Sequence, residues 1–257
     1  MKAVIFAGGL GTRLGEETRY KPKPMVEIGG NPILWHILKI YSYYGINDFV
    51  ICCGHMGDQI KDYFMNYVRS KSDVKILLVS GEVAVLSKEI EPWNITLANT
   101  GVSTMTGGRL KSVEQYLEGE DDFCLTYGDG VGNINIGESI KFHKSHGKWA
   151  TVTTASPPSK FGHVEILDGQ VTGFYEKPNH QTPKVNAGFF VLSKQVFKFI
   201  DGAQTIWERE PLQRIAQFGQ LRAFDHSGFW QPMDTLSDKT RLESLWNSGQ
   251  APWKIWH

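Results

Sequence analysis

Apolar residues along this chain fall into two rhythms, short continuous runs and stretches with helical spacing. The first run, Ala3, Val4, Ile5, Phe6 and Ala7, has the length and β-branched character of a buried strand. Asn31 and Pro32 open a helix whose apolar positions Ile33, Leu34, Ile37, Leu38, Tyr41 and Tyr44 recur at helical spacing until Gly45 stops it. Asp48–Cys53 reads as a second strand, 59–67 as a second amphipathic helix and 74–79 as a third strand. Strand, helix and strand in that order predict a parallel sheet whose right-handed crossovers cover both faces. Between 80 and 105 the rhythm breaks into short segments at 83–86 and 95–98, read as an inserted β-hairpin or flap. Residues 106–110 lead into a helix over 110–117, and 123–127 is a central strand ending in Gly128-Asp129-Gly130. Later runs at 150–155 and 185–192, with a hairpin over 163–174 turning at Asp168-Gly169, add antiparallel strands to the C-terminal half. The expected fold class is therefore α/β and Rossmann-like, a mostly parallel mixed sheet flanked by helices. No linker divides the chain, so one domain over 1–257 is expected.

The chemistry concentrates directly after the first strand. Gly8, Gly9 and Gly11 let the backbone turn sharply and leave amides free to hold phosphate oxygens. Two cations follow: Arg13, a planar fork suited to phosphate, and Lys23, whose flanking Pro22 and Pro24 predict a stiff, extended segment that is set before a ligand arrives. Both prolines also argue against a helix directly after the glycines. A glycine turn after a first strand is common in α/β proteins, so the loop alone does not identify a nucleotide site. Leu14 stands where a dinucleotide fingerprint needs its third glycine, and no Gly-Lys-Ser or Gly-Lys-Thr completes a Walker pattern. Asp129 would project beyond the carboxyl end of its strand beside this loop, although Asp-Gly is also an ordinary turn pair.

Ala7-Gly8-Gly9-Leu10-Gly11-Thr12-Arg13-Leu14 followed by Pro22-Lys23-Pro24-Met25 resembles the signature of the sugar-phosphate nucleotidylyltransferases. The resemblance implies the nucleotide-diphospho-sugar transferase fold, with a nucleotide-binding half over 1–130, a sugar-phosphate half over 131–245 and a Trp-rich tail over 246–257. It implies nucleotide contacts from Ala7, Gly8, Gly9, Gly11, Thr12, Arg13, Lys23, Thr104, Gly108, Arg109 and Gly128. Lys23 and Arg13 would be the catalytic cations, the first near the α-phosphate and the second on the departing pyrophosphate. The family binds magnesium through an aspartate matching Asp129 and a second matching Asp234. Met233 stands where family members usually carry glycine, and residues 234–238 could equally form a helix cap. Glu176, Lys177, Asn186 and Gly188 match the segments that line the sugar-phosphate pocket, although Glu-Lys-Pro is also a common solvated turn. Arg109 is the expected reader of the base, because a donor to O2 and N3 separates cytosine from uracil, although it could also be a surface arginine of its helix. Across the whole chain the resemblance is to the branch that couples CTP with glucose 1-phosphate. UTP or dTTP, or a noncatalytic regulator on the same fold, remain the alternatives.

Overall charge narrows the partners. The 27 basic and 27 acidic side chains cancel, so neither nucleic acid nor a membrane is expected to bind. No apolar run approaches the roughly 20 residues that span a bilayer, and no signal peptide precedes the first strand, so a cytoplasmic protein is expected. Cys52, Cys53 and Cys124 make an odd count in apolar runs, the mark of buried thiols in a reducing compartment. A dehydrogenase would need an acid closing the second strand, where Cys52-Cys53-Gly54-His55 stands instead. Trp246, Trp253 and Trp256 are too aromatic for a free tail: they either fold back or join subunits. With the 80–105 insertion as a second candidate contact, a homo-oligomer is expected.

Overall fold

Residues 3–7 are apolar without interruption because both faces of their strand are covered. Ala3, Ile5 and Ala7 enter one hydrophobic core and Val4 and Phe6 the other. The computed structural model describes residues 1–87, 90–157, 163–175 and 184–256. Its central sheet contains β1 (Lys2–Ala7), β2 (Asp48–Cys53), β3 (Asn94–Asn99), β4 (Asp122–Tyr127), β5 (Ala150–Ala155), β6 (Val185–Ser193) and β7 (Leu221–His226). In space the order is β7-β5-β6-β4-β1-β2-β3. Only β6 is reversed, running antiparallel to both β4 and β5, while the other neighbours are parallel.

Helix α1 (Ile33–Tyr43) lays Ile33, Leu34, Ile37, Leu38 and Tyr41 into the first core, as its spacing predicts. Beyond it come α2 (Gly57–Met65) and α3 (Tyr67–Lys71). The opposite face is covered by α4 (Thr106–Ser112), through Leu110, together with Phe197 and Trp207. Three further helices follow: α5 (Ile136–His146), α6 (Glu210–Gln217) and α7 (Leu236–Asn247). Among the described residues no helix is long and apolar enough to cross a membrane.

Four expectations need correction. Residues 74–77 are a strand, but they pair with Glu82–Val85 in a separate two-stranded hairpin, and the sheet's third parallel strand is Asn94–Asn99. The hairpin is the true excursion, and Leu78 and Val79 at its tip stand in solvent. Helix α4 begins at Thr106 rather than 110, so Gly107 and Gly108 sit in its first turn. They are glycine because the segment 203–205 packs against them: a Cβ on Gly108 would lie 2.4 Å from the Ala203 carbonyl oxygen. Directly after the glycine loop the chain does turn helical, as a 3-10 segment (Thr12–Thr18) that bends at Gly15. Lys23 lies in a short 3-10 turn (Lys23–Met25); only Pro22 before it is extended.

The tryptophan tail folds back. Trp246, Trp253 and Trp256 surround His36 of α1, with ring centroids 4.7, 6.1 and 6.2 Å away. Nε2 of His36 lies 2.8 Å from the Ile28 carbonyl oxygen and therefore donates, leaving Nδ1 to accept from the Trp253 indole at 3.4 Å. Burial pushes the imidazole pKa down to about 4 against the pull of its backbone partners, so it is neutral near pH 7.

Candidate active site

The loop after β1 is tied down by its carbonyls and open at its amides. The Gly8 carbonyl accepts from the His55 amide at 3.2 Å and from Arg109 Nη2 at 2.9 Å. The Gly11 carbonyl accepts from the Leu14 amide at 3.2 Å and the Thr18 hydroxyl at 2.9 Å. Gly11 needs its left-handed φ of +66°, and a Cβ there would press on Lys23 and Thr18. Among the described residues the amides of Gly9, Leu10 and Gly11 donate to no protein group. Such a concavity of unpaired donors suits anionic oxygens. Ala7 is buried at the strand end, whereas Gly9, Thr12 and Arg13 are exposed along the rim.

Asp129 and Asp234, far apart in sequence, are joined by a small ribbon. Gly130–Gly132 pairs antiparallel with Trp230–Pro232, and the Met233 amide donates to the Asp129 carbonyl at 2.8 Å. The Gly128 amide donates to the Phe6 carbonyl at 2.9 Å, which sets the aspartate turn against the end of β1. A Cβ on Gly128 would stand 2.7 Å from that same oxygen. At α7 the capping is done by Thr235 and Asp238, which form a reciprocal capping box. Asp234 is thereby left to face the loop.

Lys23 lies between the two aspartates. Its Nζ donates to Asp129 Oδ2 at 2.6 Å and to Asp234 Oδ1 at 2.7 Å, and Arg13 Nη1 donates to Asp234 Oδ2 at 3.1 Å. Burial alone would lower the ammonium pKa, but the attraction and hydrogen bonds of the two carboxylates outweigh it and hold the value above that of an ordinary lysine. Arg13 by contrast is largely in solvent. Among the described residues no group of three His, Cys, Asp or Glu side chains is placed to hold a metal ion. Two carboxylates converging on one positive charge nonetheless fit a divalent cation that completes its shell with phosphate oxygens and water.

Beside Asp129 opens a cavity lined by Tyr127, Asn186, Ala187, Gly188, Phe189 and Trp230, among others. The reversed direction of β6 brings Asn186 and Gly188 to the same sheet edge as Asp129. Asn186 Oδ1 accepts from the Gly188 amide at 2.8 Å, and the Trp230 indole donates to the Ala187 carbonyl at 2.8 Å. Gly188 has φ +80°, and a Cβ there would lie 2.4 Å from Tyr127 Cδ2, so glycine is what admits the phenol ring. Glu176 and Lys177, expected in this pocket, lie outside the described residues.

Thr104 is partly exposed and Gly108 buried at the start of α4. Arg109 is 4% exposed and turns beneath the glycine loop. It donates to Thr100 Oγ1 and the Gly101 carbonyl, both at 2.7 Å, as well as to Gly8 and, at 3.3 Å, the Val102 carbonyl. The guanidinium that the sequence offers to a base is thus placed as the loop's support. One residue escaped sequence reasoning altogether. Glu208 accepts from the Tyr127 hydroxyl at 2.5 Å and from the Thr106 hydroxyl at 2.7 Å. Burial first, then the Glu208 carboxylate, push the Tyr127 phenol well above its usual pKa, so it stays protonated and donates. No spacing in Trp207-Glu208-Arg209-Glu210 singles this glutamate out.

Comparisons with known proteins bear on the family and the fold. A family model described as nucleotidyl transferase matches residues 2–230. A glucose-1-phosphate cytidylyltransferase of Salmonella typhimurium is 57% identical over 256 residues, covering 100% of each chain. The mannose-1-phosphate guanylyltransferase catalytic subunit beta of Xenopus tropicalis is 33% identical over 247 residues, 92% of this chain and 63% of that one. Among solved structures, HddC from Yersinia pseudotuberculosis complexed with GMP-PN superposes with a TM-score of 0.68 at 20% identity, covering 95% of this chain and 99% of that one. The UTP-bound UGPase from Acinetobacter baumannii gives 0.71 at 17% identity, covering 99% and 95%. Those two likenesses speak to the fold alone.

Proposed function

This chain belongs to the nucleotidyl transferase family, and from that premise we propose that it transfers CMP from CTP to α-D-glucose 1-phosphate, giving CDP-glucose and pyrophosphate. The observation that carries the reading is the convergence of Lys23, Arg13, Asp129 and Asp234 between a loop of free amides and a second cavity. Such a site has two compartments and a concentrated charge between them.

A phosphate oxygen of the sugar substrate attacks the α-phosphorus of CTP. The bond from that phosphorus to its leaving oxygen breaks, and pyrophosphate departs with the electron pair. No protein nucleophile is required, so the side chains position the reactants and offset charge. The amides of Gly9, Leu10 and Gly11 hold triphosphate oxygens, with Ala7, Gly8, Thr12 and Gly128 shaping the same cradle. Lys23 stabilises charge at the α-phosphate, and Arg13 meets the pyrophosphate. Asp129 and Asp234 would hold the divalent cation, taken as Mg2+, which supplies charge neutralisation and geometry to the phosphates. Asn186 and Gly188 form the described wall of the sugar compartment, which Glu176 and Lys177 complete in this proposal. Thr104 faces the base, Gly108 serves it indirectly by letting the start of α4 pack on 203–205, and Arg109 acts by holding the loop that carries the phosphates.

A cytoplasmic homo-oligomer completes the reading. Cys52, Cys53 and Cys124 are buried free thiols, and the hairpin over 74–85 offers apolar side chains that a second copy could cover. The deciding experiment supplies glucose 1-phosphate with CTP, UTP or dTTP in turn and measures pyrophosphate release and nucleotide-sugar product. CDP-glucose formed in preference to the other products is expected. Preference for UTP or dTTP would replace the nucleotide assignment, and no turnover with any triphosphate would favour a noncatalytic regulator.

A further inference from the structure

Glu208 touches both halves of the site without lying in either. Its carboxylate takes the Tyr127 hydroxyl on Oε1 at 2.5 Å and the Thr106 hydroxyl on Oε2 at 2.7 Å. Tyr127 is the last residue of β4, lines the sugar-side cavity and fills the space that Gly188 leaves open. Thr106 is the first residue of α4, directly after the segment 104–105 on the nucleotide side. The carboxylate itself is anchored from behind. Trp207 is fully buried, and its amide donates to the Thr106 hydroxyl at 2.9 Å. The neighbouring backbone is stapled as well, with the Met105 amide on the Ala203 carbonyl at 2.8 Å and the Gly108 amide on the Thr205 carbonyl at 3.2 Å.

We propose that Glu208 is a positioning residue that couples the two substrate compartments, setting the Tyr127 ring against the sugar and the start of α4 against the nucleotide. The inference rests on the two-substrate reading above. Each carboxylate oxygen serves one compartment, so a change in one hydroxyl's position is felt by the other through a single rigid group. A carboxylate only accepts hydrogen bonds, and both hydroxyls here donate to it. Glutamine can reproduce one half of this arrangement. Its amide oxygen can receive the phenol, but its NH2 then meets the Thr106 hydroxyl as a second donor, so that hydroxyl must turn its proton away and loses its acceptor.

Steady-state kinetics with both substrates, together with thermal melting, test this in Glu208→Ala, Glu208→Gln, Tyr127→Phe, Thr106→Val and the two Ala-containing doubles. Glu208→Ala is expected to raise KM for both substrates about tenfold, the loss that one hydrogen bond per compartment represents. Glu208→Gln should keep the sugar-phosphate KM near wild type and raise that of the triphosphate. Tyr127→Phe should act on the sugar side and Thr106→Val on the nucleotide side, each adding nothing once Glu208 is alanine. A single affected substrate in Glu208→Ala, or fully additive doubles, would overturn the proposal. If Glu208→Ala does not fold, the unequal KM responses of Glu208→Gln decide the question, and equal responses on both substrates would refute it. The measurements use whichever triphosphate the wild-type enzyme turns over, so failure of the CTP assignment is visible separately in the wild type.

Discussion

Replacing Arg109 with methionine separates a supporting arginine from a base-reading one. The side chain is 4% exposed, with three hydrogen bonds of 2.9 Å or shorter to Thr100, Gly101 and Gly8 and no carboxylate partner in that set. Charged hydrogen bonds contribute roughly 1.5–3 kcal/mol each, but removing the guanidinium from water costs several kcal/mol, so their sum overstates the effect. After truncation the Gly8 carbonyl keeps the His55 amide, and Gly101, near the surface, can find water. What is lost is mainly the tie between loop and helix, for which about 2–4 kcal/mol is a fair magnitude. For a chain of this size that corresponds to a fall in Tm of about 5–15 °C. Melting followed by circular dichroism gives the shift, and parallel assays with CTP and UTP give specificity. A loop support predicts the Tm loss and a higher KM for both triphosphates with little change in their ratio. A Tm within about 2 °C of wild type and a collapsed CTP preference would refute the reasoning and return Arg109 to the base.

Lys23→Met should lower kcat about 10²–10³-fold while CTP affinity changes far less, because the contact strengthens as charge develops on the phosphates; near-normal kcat in single-turnover assays would remove Lys23 from the chemistry. Asp129→Asn should weaken divalent-metal binding, read by Mn2+ paramagnetic resonance, with circular dichroism unchanged, and an unaltered metal titration would exclude the residue. His36 gives a pH signature: its pKa is about 4 when folded against about 6.5 unfolded, so its stability contribution is complete above pH 6.5 and lost as pH falls toward 4. Stability from urea midpoints should drop by about 2 kcal/mol between pH 7 and 5 on this account, and the drop should shrink in His36→Gln; an equal drop in that variant would show that other groups carry it.

The glycine loop, Lys23 and the Asp129 turn were legible in the sequence because their signals are local. Glycines at 8, 9 and 11 and prolines flanking Lys23 restrict the backbone wherever they occur, and Asp-Gly after an apolar strand places its own carboxylate. Partners that depend on tertiary pairing were not legible. Residues 74–79 read as the third strand and 95–98 as part of an inserted hairpin or flap, yet only sheet pairing decides which one joins β2. Gly107 and Gly108 weaken a helix by propensity, and close packing on 203–205 overrides that in the fold. Arg109 carried the right charge at the right place, but a sequence does not say which way a long side chain turns. Glu208, one acid in a charged stretch, becomes conspicuous only when two hydroxyls from distant segments meet on it.

The reversed strand has a consequence for how such a molecule can be rebuilt. Phe189 pairs with Thr126 and Ser193 with Asp122, so β6 presents its beginning, not its end, where β1 and β4 finish. Run the other way, Asn186 would sit roughly 20 Å distant at the far rim of the sheet. Strand polarity therefore acts as a partition. The residues proposed to hold the triphosphate and those proposed to hold the sugar phosphate then meet along one seam. A chimera exchanging the region from β5 through β6 would replace Asn186 and Gly188 while leaving the phosphate loop, Tyr127 and Glu208 in place, so it must keep glycine at 188 for the Tyr127 ring to fit.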